Sequence, residues 1–313
     1  MNESFSLRGV TFRNRVFVAS GTFGYGDEVT ELVDLDKLGG ILTKSLSLKP
    51  RDGNPPPRIT ETASGMLNSI GLANIGVHKF IAEKIPKLEG YSCAVVANIA
   101  ASSVQEYCDV LELLDPHKRV DGFEINVSCP NVKEGGLSFG TDPAKVALIT
   151  KELRKRTQKP LIIKLTPNVT HISEFARAAE AEGADAVSVI NTLVGMAVNI
   201  NTRKPRISTT TGGLSGPAIK PVALAKVYEV YKSVKLPIIG VGGISNWEDA
   251  VEFFLVGASA VQVGTANFIN PAIGVDVAKG IVHYCERNSI EDVAELVGTL
   301  QADTKISVIQ SWL

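Results

Sequence analysis

Eight short apolar runs, each followed by a stretch with helical spacing, most narrow what this 313-residue chain can fold into. The runs are Val16–Ser20, Gly40–Lys44, Ala94–Ile99, Gly122–Ile125, Leu161–Leu165, Ala186–Ile190, Pro237–Val241 and Ala260–Val263. Each is short and rich in apolar residues, and each reads as a buried strand. Helical spacing follows near 28–38, 77–88, 103–114, 142–156, 172–182, 219–233 and 247–256, with two further helices expected near 273–287 and 290–300. Alternating strands and helices point to an α/β fold, and eight such units argue for a closed (β/α)8 TIM barrel over an open doubly wound sheet. Phe5 to Phe12 alternates apolar and polar residues around Gly9, which predicts an N-terminal β-hairpin leading into the first strand. No break in composition marks a second domain, so one barrel domain is expected across residues 1–313.

The connection over residues 45–76 is long and rich in Pro, Gly and Asn. A segment of that length in a compact domain is usually functional or disordered, and Met66, Leu67, Ile70 and Leu72 argue for order. It is therefore expected as an extended loop on the C-terminal face of the barrel.

Composition removes several classes of function. A net charge of −1 gives no field to recruit nucleic acid or an acidic membrane surface. Cys93, Cys108, Cys129 and Cys285 form no close pair, which speaks against a disulfide framework, a zinc site or an iron–sulfur ligand set and for a reducing, cytoplasmic compartment. The four histidines are scattered, and no metal site is expected. No run of 18 apolar residues and no secretory leader are present, so no membrane association is expected.

In a (β/α)8 barrel the C-terminal strand ends carry the active site, so listing them is an argument about function. They hold Ser20, Lys44, Asn98, Asn126, Lys164, Asn191 and Thr192, then Gly242, Gly243, Gly264 and Thr265. A lysine is almost never fully buried unless paired, so two lysines and three asparagines on one rim indicate a polar site rather than packing. Gly240-Val241-Gly242-Gly243-Ile244-Ser245 fails as a dinucleotide fingerprint, because serine replaces the third glycine and the motif sits on the seventh strand. It suits instead the phosphate site formed after strands 7 and 8, and Gly216 between Ser215 and Pro217 can add a further close backbone approach.

Pro130 has no N–H for a ladder and ends the fourth strand, leaving Asn126, Ser128, Cys129 and Asn131 where strand turns to loop. Gly135, Gly136 and Gly140 follow, which predicts a solvent-accessible segment able to close as a lid. A thiol there serves as base or nucleophile if its surroundings lower its pKa, although a structural cysteine at a strand end fits the same spacing.

Together, Thr43-Lys44-Ser45, Asn68-Ser69-Ile70-Gly71-Leu72, Asn126-Val127-Ser128-Cys129-Pro130-Asn131, Asn191-Thr192 and Gly242-Gly243 resemble the class 1 dihydroorotate dehydrogenases over essentially the whole chain. The resemblance implies an FMN-containing barrel that oxidises dihydroorotate to orotate. Cys129 would be the base for the C5 proton while the C6 hydride goes to flavin. Lys44 would reach flavin and substrate. Asn68, the backbone of Ser69, Ile70, Gly71 and Leu72, and Asn126, Asn131, Asn191 and Thr192 would hold the substrate. Lys164 would stabilise negative charge on the flavin. The rest of the FMN site would comprise Ser20, Ser45, Asn98, Asn126 and Ile190, with Gly216, Gly242, Gly243, Gly264 and Thr265. Class 2 enzymes carry serine as the base and a membrane-associating N-terminal extension. A cysteine here, and a start almost at the first hairpin, imply class 1.

Ser64-Gly65-Met66-Leu67-Asn68 is more similar to the NAD-linked B type than to the fumarate-linked A type. That implies a homodimer core joined by an electron-transfer subunit carrying FAD and an iron–sulfur cluster, a heterotetramer. The catalytic chain of a dihydropyrimidine dehydrogenase and a non-redox flavin- or phosphate-binding barrel are the rival readings. The first usually carries ferredoxin-like cysteine clusters, and the second has no use for Cys129.

Overall fold

A computed structural model describes residues 1–128 and 139–301. Eight parallel strands close into a barrel: β1 (Val16–Val18), β2 (Gly40–Leu42), β3 (Ala94–Ile99), β4 (Gly122–Asn126), β5 (Leu161–Leu165), β6 (Ala186–Val189), β7 (Ile238–Val241) and β8 (Ala260–Val263). Each pairs with the next, and β8 pairs with β1. Outside lie α1 (Val77–Glu83), α2 (Ile85–Leu88), α3 (Val104–Leu114), α4 (Pro143–Arg154), α5 (Ile172–Ala181), α6 (Lys220–Tyr231), α7 (Trp247–Leu255) and α8 (Ile273–Arg287). The helices begin where their sequence says. Ser103, Asp142 and Asn246 each accept a backbone N–H of the first turn, the usual device for satisfying a helix start.

Side chains alternate across a strand, so every second residue points into the barrel. The hairpin of Phe5–Leu7 and Val10–Phe12 plugs one end: Phe5, Leu7 and Phe12 pack with Phe17, Leu42, Val96, Ile162, Ala186, Ile239 and Ala260. The Phe5 and Phe12 rings stack at 5.7 Å, and Phe12 meets Phe17 at 4.9 Å. Two residues further along five of these strands stand Lys44, Asn98, Lys164, Ser188 and Gln262. The interior thus has an apolar floor and, one layer up toward the C-terminal ends, a polar one.

Four expectations need correction. Residues 28–38 form two 3-10 turns, Asp27–Val29 and Leu35–Lys37, instead of a helix. Asp34 accepts the N–H of Asp36, a local bond that competes with helical pairing. The 77–88 helix is two helices, with Pro86 in the first turn of the second. Residues 290–300 contain only the 3-10 turn Val293–Leu296.

The fourth correction concerns the C-terminal face. Within the 45–76 connection expected there as loop, Ile59–Thr62 and Gly65–Asn68 are strands that join Gly212–Ser215 and Leu193–Gly195 in an antiparallel sheet, with a separate pair, Val198–Asn199 and Lys204–Pro205. Its glycines read as loop in the sequence but serve close packing. A Cβ on Gly65 would strike the Ser215 carbonyl, and one on Gly213 the Thr192 hydroxyl.

Among the described residues no helix is long and apolar enough to cross a membrane. Because Phe12 is 1% exposed and joins the hairpin to the barrel floor, Phe12→Ala should cost about 3–5 kcal/mol of stability, read as a lower urea midpoint at unchanged slope.

Candidate active site

At the centre of the polar layer lies Glu124 of β4, with no exposure to water. Its Oε1 accepts from Asn98 Nδ2 at 2.7 Å and pairs with Lys164 Nζ at 3.5 Å. Its Oε2 accepts from Ser188 Oγ at 2.6 Å and Gln262 Nε2 at 2.7 Å. Asn98 in turn accepts from Ser45 Oγ at 2.6 Å. Five barrel elements thus meet at one carboxylate, and three of the predicted residues, Ser45, Asn98 and Lys164, are joined through it. The sequence reading missed Glu124, Ser188 and Gln262. The available signal was a polar residue in the middle of an otherwise apolar strand.

A second chain of contacts crosses the mouth. Asn191 Nδ2 donates to Asn126 Oδ1 at 3.2 Å, and Asn191 Oδ1 accepts the Thr192 N–H at 2.7 Å. Asn168, also missed, donates to the Thr192 carbonyl at 3.0 Å and accepts the Val194 N–H at 2.9 Å, tying the rim to the antiparallel sheet. Across that sheet Asn68 donates to the Gly213 carbonyl at 3.3 Å. Asn68, Asn126, Asn191 and Thr192 therefore belong to one connected surface.

The Ser69–Leu72 stretch is held in an uncommon shape. Gly71 and Leu72 both have left-handed backbones, φ 72° and 58°. Asn54 grips this stretch, its N–H bonding the Ile70 carbonyl and its amide the Ser69 carbonyl, while Asn74 Nδ2 bonds the Leu72 carbonyl at 2.8 Å. Ser69 Oγ is buried with no hydrogen-bond partner among the described residues.

The glycine positions gather on the other side. Gly216, Gly242 and Gly243 have φ of 94°, 133° and 78°. A Cβ on Gly243 would lie 2.9 Å from the Gly216 carbonyl oxygen, and one on Gly242 would lie 3.6 Å from Ile190. Thr265 Oγ1 bonds Ser215 Oγ at 2.8 Å, beside Gly216. Gly264 faces Ala19, which precedes Ser20. Ser20, Ile190, Gly216, Gly242, Gly243, Gly264 and Thr265 thus lie around one cradle of backbone. Cys129 and Asn131, and most of the segment expected to act as a lid, lie outside the described residues.

Lys44 follows β2, half-buried, and makes no salt bridge among the described residues. Burial lowers its pKa, the nearby Arg58 guanidinium lowers it further, and Glu28 opposes them. Such a lysine gains by meeting an anion. The other thiols differ from one expected to act as a base: Cys93, Cys108 and Cys285 are buried, and burial pushes Cys93 up to about 11.

A closed barrel with amides, lysines and a glycine cradle at its C-terminal mouth defines a (β/α)8-barrel enzyme scaffold. The family described as dihydroorotate dehydrogenase matches residues 4–284, and this chain belongs to it. A Thermoanaerobacter sp. (strain X514) protein is 52% identical over 97% of this chain and 100% of its own length. One from Caldicellulosiruptor saccharolyticus is 49% identical over 96% of this chain and 99% of its own. Both are named dihydroorotate dehydrogenase B (NAD(+)), catalytic subunit. In fold the chain is similar to the crystal structure of DHODH in complex with ferulenol from Eimeria tenella, with TM-score 0.77 at 24% identity over 95% of this chain and 88% of that one.

The lowered Lys44 pKa has a defined sign. Between the folded value and the ordinary 10.5 the unfolded chain binds the proton more tightly, so Lys44 makes stability rise with pH in that window. Arg58→Ala should move the Lys44 titration upward, toward 10.5, when its reaction with an amine-selective acylating reagent is followed against pH by peptide mass spectrometry. An unmoved titration would show that burial alone sets it.

Proposed function

We propose that this chain oxidises (S)-dihydroorotate to orotate in pyrimidine biosynthesis, as the FMN-carrying catalytic subunit of an NAD-linked, B-type enzyme in the cytoplasm. The observation that carries the reading is the joining of Asn68, Asn126, Asn191 and Thr192 into one rim above the layer that holds Lys164. Dihydroorotate has a ring of alternating N–H and C=O groups and one carboxylate. Asparagine offers both donors and an acceptor, so amides can read such a ring edge without adding charge. Asn131 completes this set, and the backbone of Ser69, Ile70, Gly71 and Leu72 adds fixed donors and acceptors. Lys44 supplies the cation that the carboxylate and the cofactor require.

The residues present fit FMN. The positive-φ backbones of Gly216, Gly242 and Gly243 suit the kind of main-chain concavity that takes a phosphate. Gly264, Thr265 and Ser20 extend that cradle, and Ile190 closes its apolar side. Ser45, Asn98, Asn126 and Lys164 offer the polar groups for the ring system. Bound FMN supplies the acceptor for the hydride that leaves C6.

Cys129 takes the C5 proton onto its sulfur as the double bond forms between C5 and C6. A thiol needs only modest electrostatic help to act near neutral pH, whereas a serine hydroxyl needs far more. The chain has no dinucleotide fingerprint, and Cys93, Cys108 and Cys285 are buried. Transfer of electrons to NAD is therefore assigned to a partner subunit carrying FAD and an iron–sulfur cluster, bound to a homodimer of this one-domain chain.

Denatured protein should release FMN, and no FAD, in near one-to-one ratio. Cys129→Ala should still bind orotate but reduce its flavin about a hundredfold or more slowly, the usual scale for losing a general base. Wild-type reduction rates in that variant would remove Cys129 from the role. The chain purified alone should reduce dyes with dihydroorotate yet form NADH only when the partner is added. Brisk turnover with fumarate would instead place it in the A type.

A further inference from the structure

Glu124 is a fully buried carboxylate with no part in the proton or hydride steps, yet it is the most heavily bonded side chain of the barrel interior. We propose that Glu124 is a positioning residue that fixes Lys164 and sets how much of its positive charge reaches the bound flavin. This rests on the functional reading above, in which Lys164 faces FMN.

The geometry gives the argument. The two oxygens divide their partners: Oε1 takes Asn98 and Lys164, and Oε2 takes Ser188 and Gln262. The neutral bonds are short, 2.6–2.7 Å, while the contact to Lys164 Nζ is 3.5 Å. The carboxylate is therefore held firmly by three uncharged donors from β3, β6 and β8. It neutralises the lysine beside it only in part. Lys164 itself is 6% exposed, so water screens little of what remains. Asn98 is bound on its other side by Ser45, which carries the same carboxylate's influence to a second residue assigned to the flavin.

Two substitutions should act in opposite directions. Glu124→Gln removes the negative charge and leaves the lysine uncompensated, so bound FMN becomes easier to reduce. Ser188→Ala removes one donor but keeps the charge, so more of the carboxylate's field falls on Lys164 and bound FMN becomes harder to reduce. General disruption of the barrel would move both the same way.

The test is the midpoint potential of FMN in the purified holoprotein, measured by dye equilibration, with FMN retention and thermal unfolding followed in parallel. For Glu124→Gln we expect about a tenfold or larger shift in the reduced-to-oxidised ratio at fixed poise, about 30 mV upward for a two-electron couple. In a Lys164→Met background the same substitution should shift it much less, because the effect passes through Lys164. Shifts of the same sign in Glu124→Gln and Ser188→Ala, no shift in either, or an equal Glu124→Gln shift with and without Lys164 would overturn the proposal. If Glu124→Gln fails to hold FMN, Ser188→Ala alone decides: a downward shift supports the assignment, and an upward or absent one sinks it. Wild-type protein that binds no FMN would overturn the functional reading as well, and is told apart by that control.

Discussion

Closure of one end of the barrel by the Phe5–Phe12 hairpin is the constraint on which the rest of the molecule depends. With Phe5, Leu7 and Phe12 seated on the floor, the barrel's inner layer is sealed from below. Polar groups one layer up must then satisfy each other or whatever enters from the mouth, since an unpaired buried polar group costs about 1–3 kcal/mol. Glu124 meets that demand by collecting donors from four other strands. Gln262 Oε1 remains buried without a partner among the described residues. A site open at one end only is what a dry, oriented reaction needs, and here it follows from where the apolar residues of the hairpin fall.

The barrel was legible in the sequence because buried parallel strands are continuous apolar runs, and all eight predicted strands occur. The rim residues were legible for a related reason: Lys44, Asn126 and Asn191 stand where an apolar run stops, a position that topology makes meaningful. Glu124, Ser188 and Gln262 lie inside the runs. A single polar residue among Val, Ile and Phe looks like an interruption until the barrel closes and five strands bring theirs to one level. The antiparallel sheet over the mouth was hidden for the opposite reason. Gly65, Gly195, Gly212 and Gly213 are loop-forming by propensity, and only tertiary crowding shows that they are strand residues chosen for lack of a side chain.

The two lysines of the site solve different electrostatic problems. Lys164 is buried beside the Glu124 carboxylate, which makes it a fixed feature of the floor. Lys44 is half-buried beside Arg58, with burial and like charge both weakening its hold on a proton. In the function proposed above, an incoming anion offsets both influences by pairing with the charge, so Lys44 has more to gain from ligand than Lys164 does. A charge that is under-satisfied in the free protein contributes to binding. A charge already paired shapes the field without being used up by it.

The backbone of the Ser69–Leu72 stretch extends that distinction from charge to shape. A leucine at φ 58° sits in a region that costs about 1–3 kcal/mol for a residue with a side chain. It persists because Asn54 and Asn74 bond the carbonyls of Ser69, Ile70 and Leu72 from behind, and because Ser69 donates its own N–H to the Arg58 carbonyl. Asn74 is in turn buried and bonded to Ser47, next to the strand end that bears Lys44 and Ser45. The strain is thus supported from the barrel itself. If this stretch is the substrate-binding edge proposed above, it is ready before its ligand arrives, so less ordering remains to be done on binding. In that role its recognition groups would be main-chain atoms, held by the bonds of Asn54 and Asn74 and by the left-handed turn at Gly71.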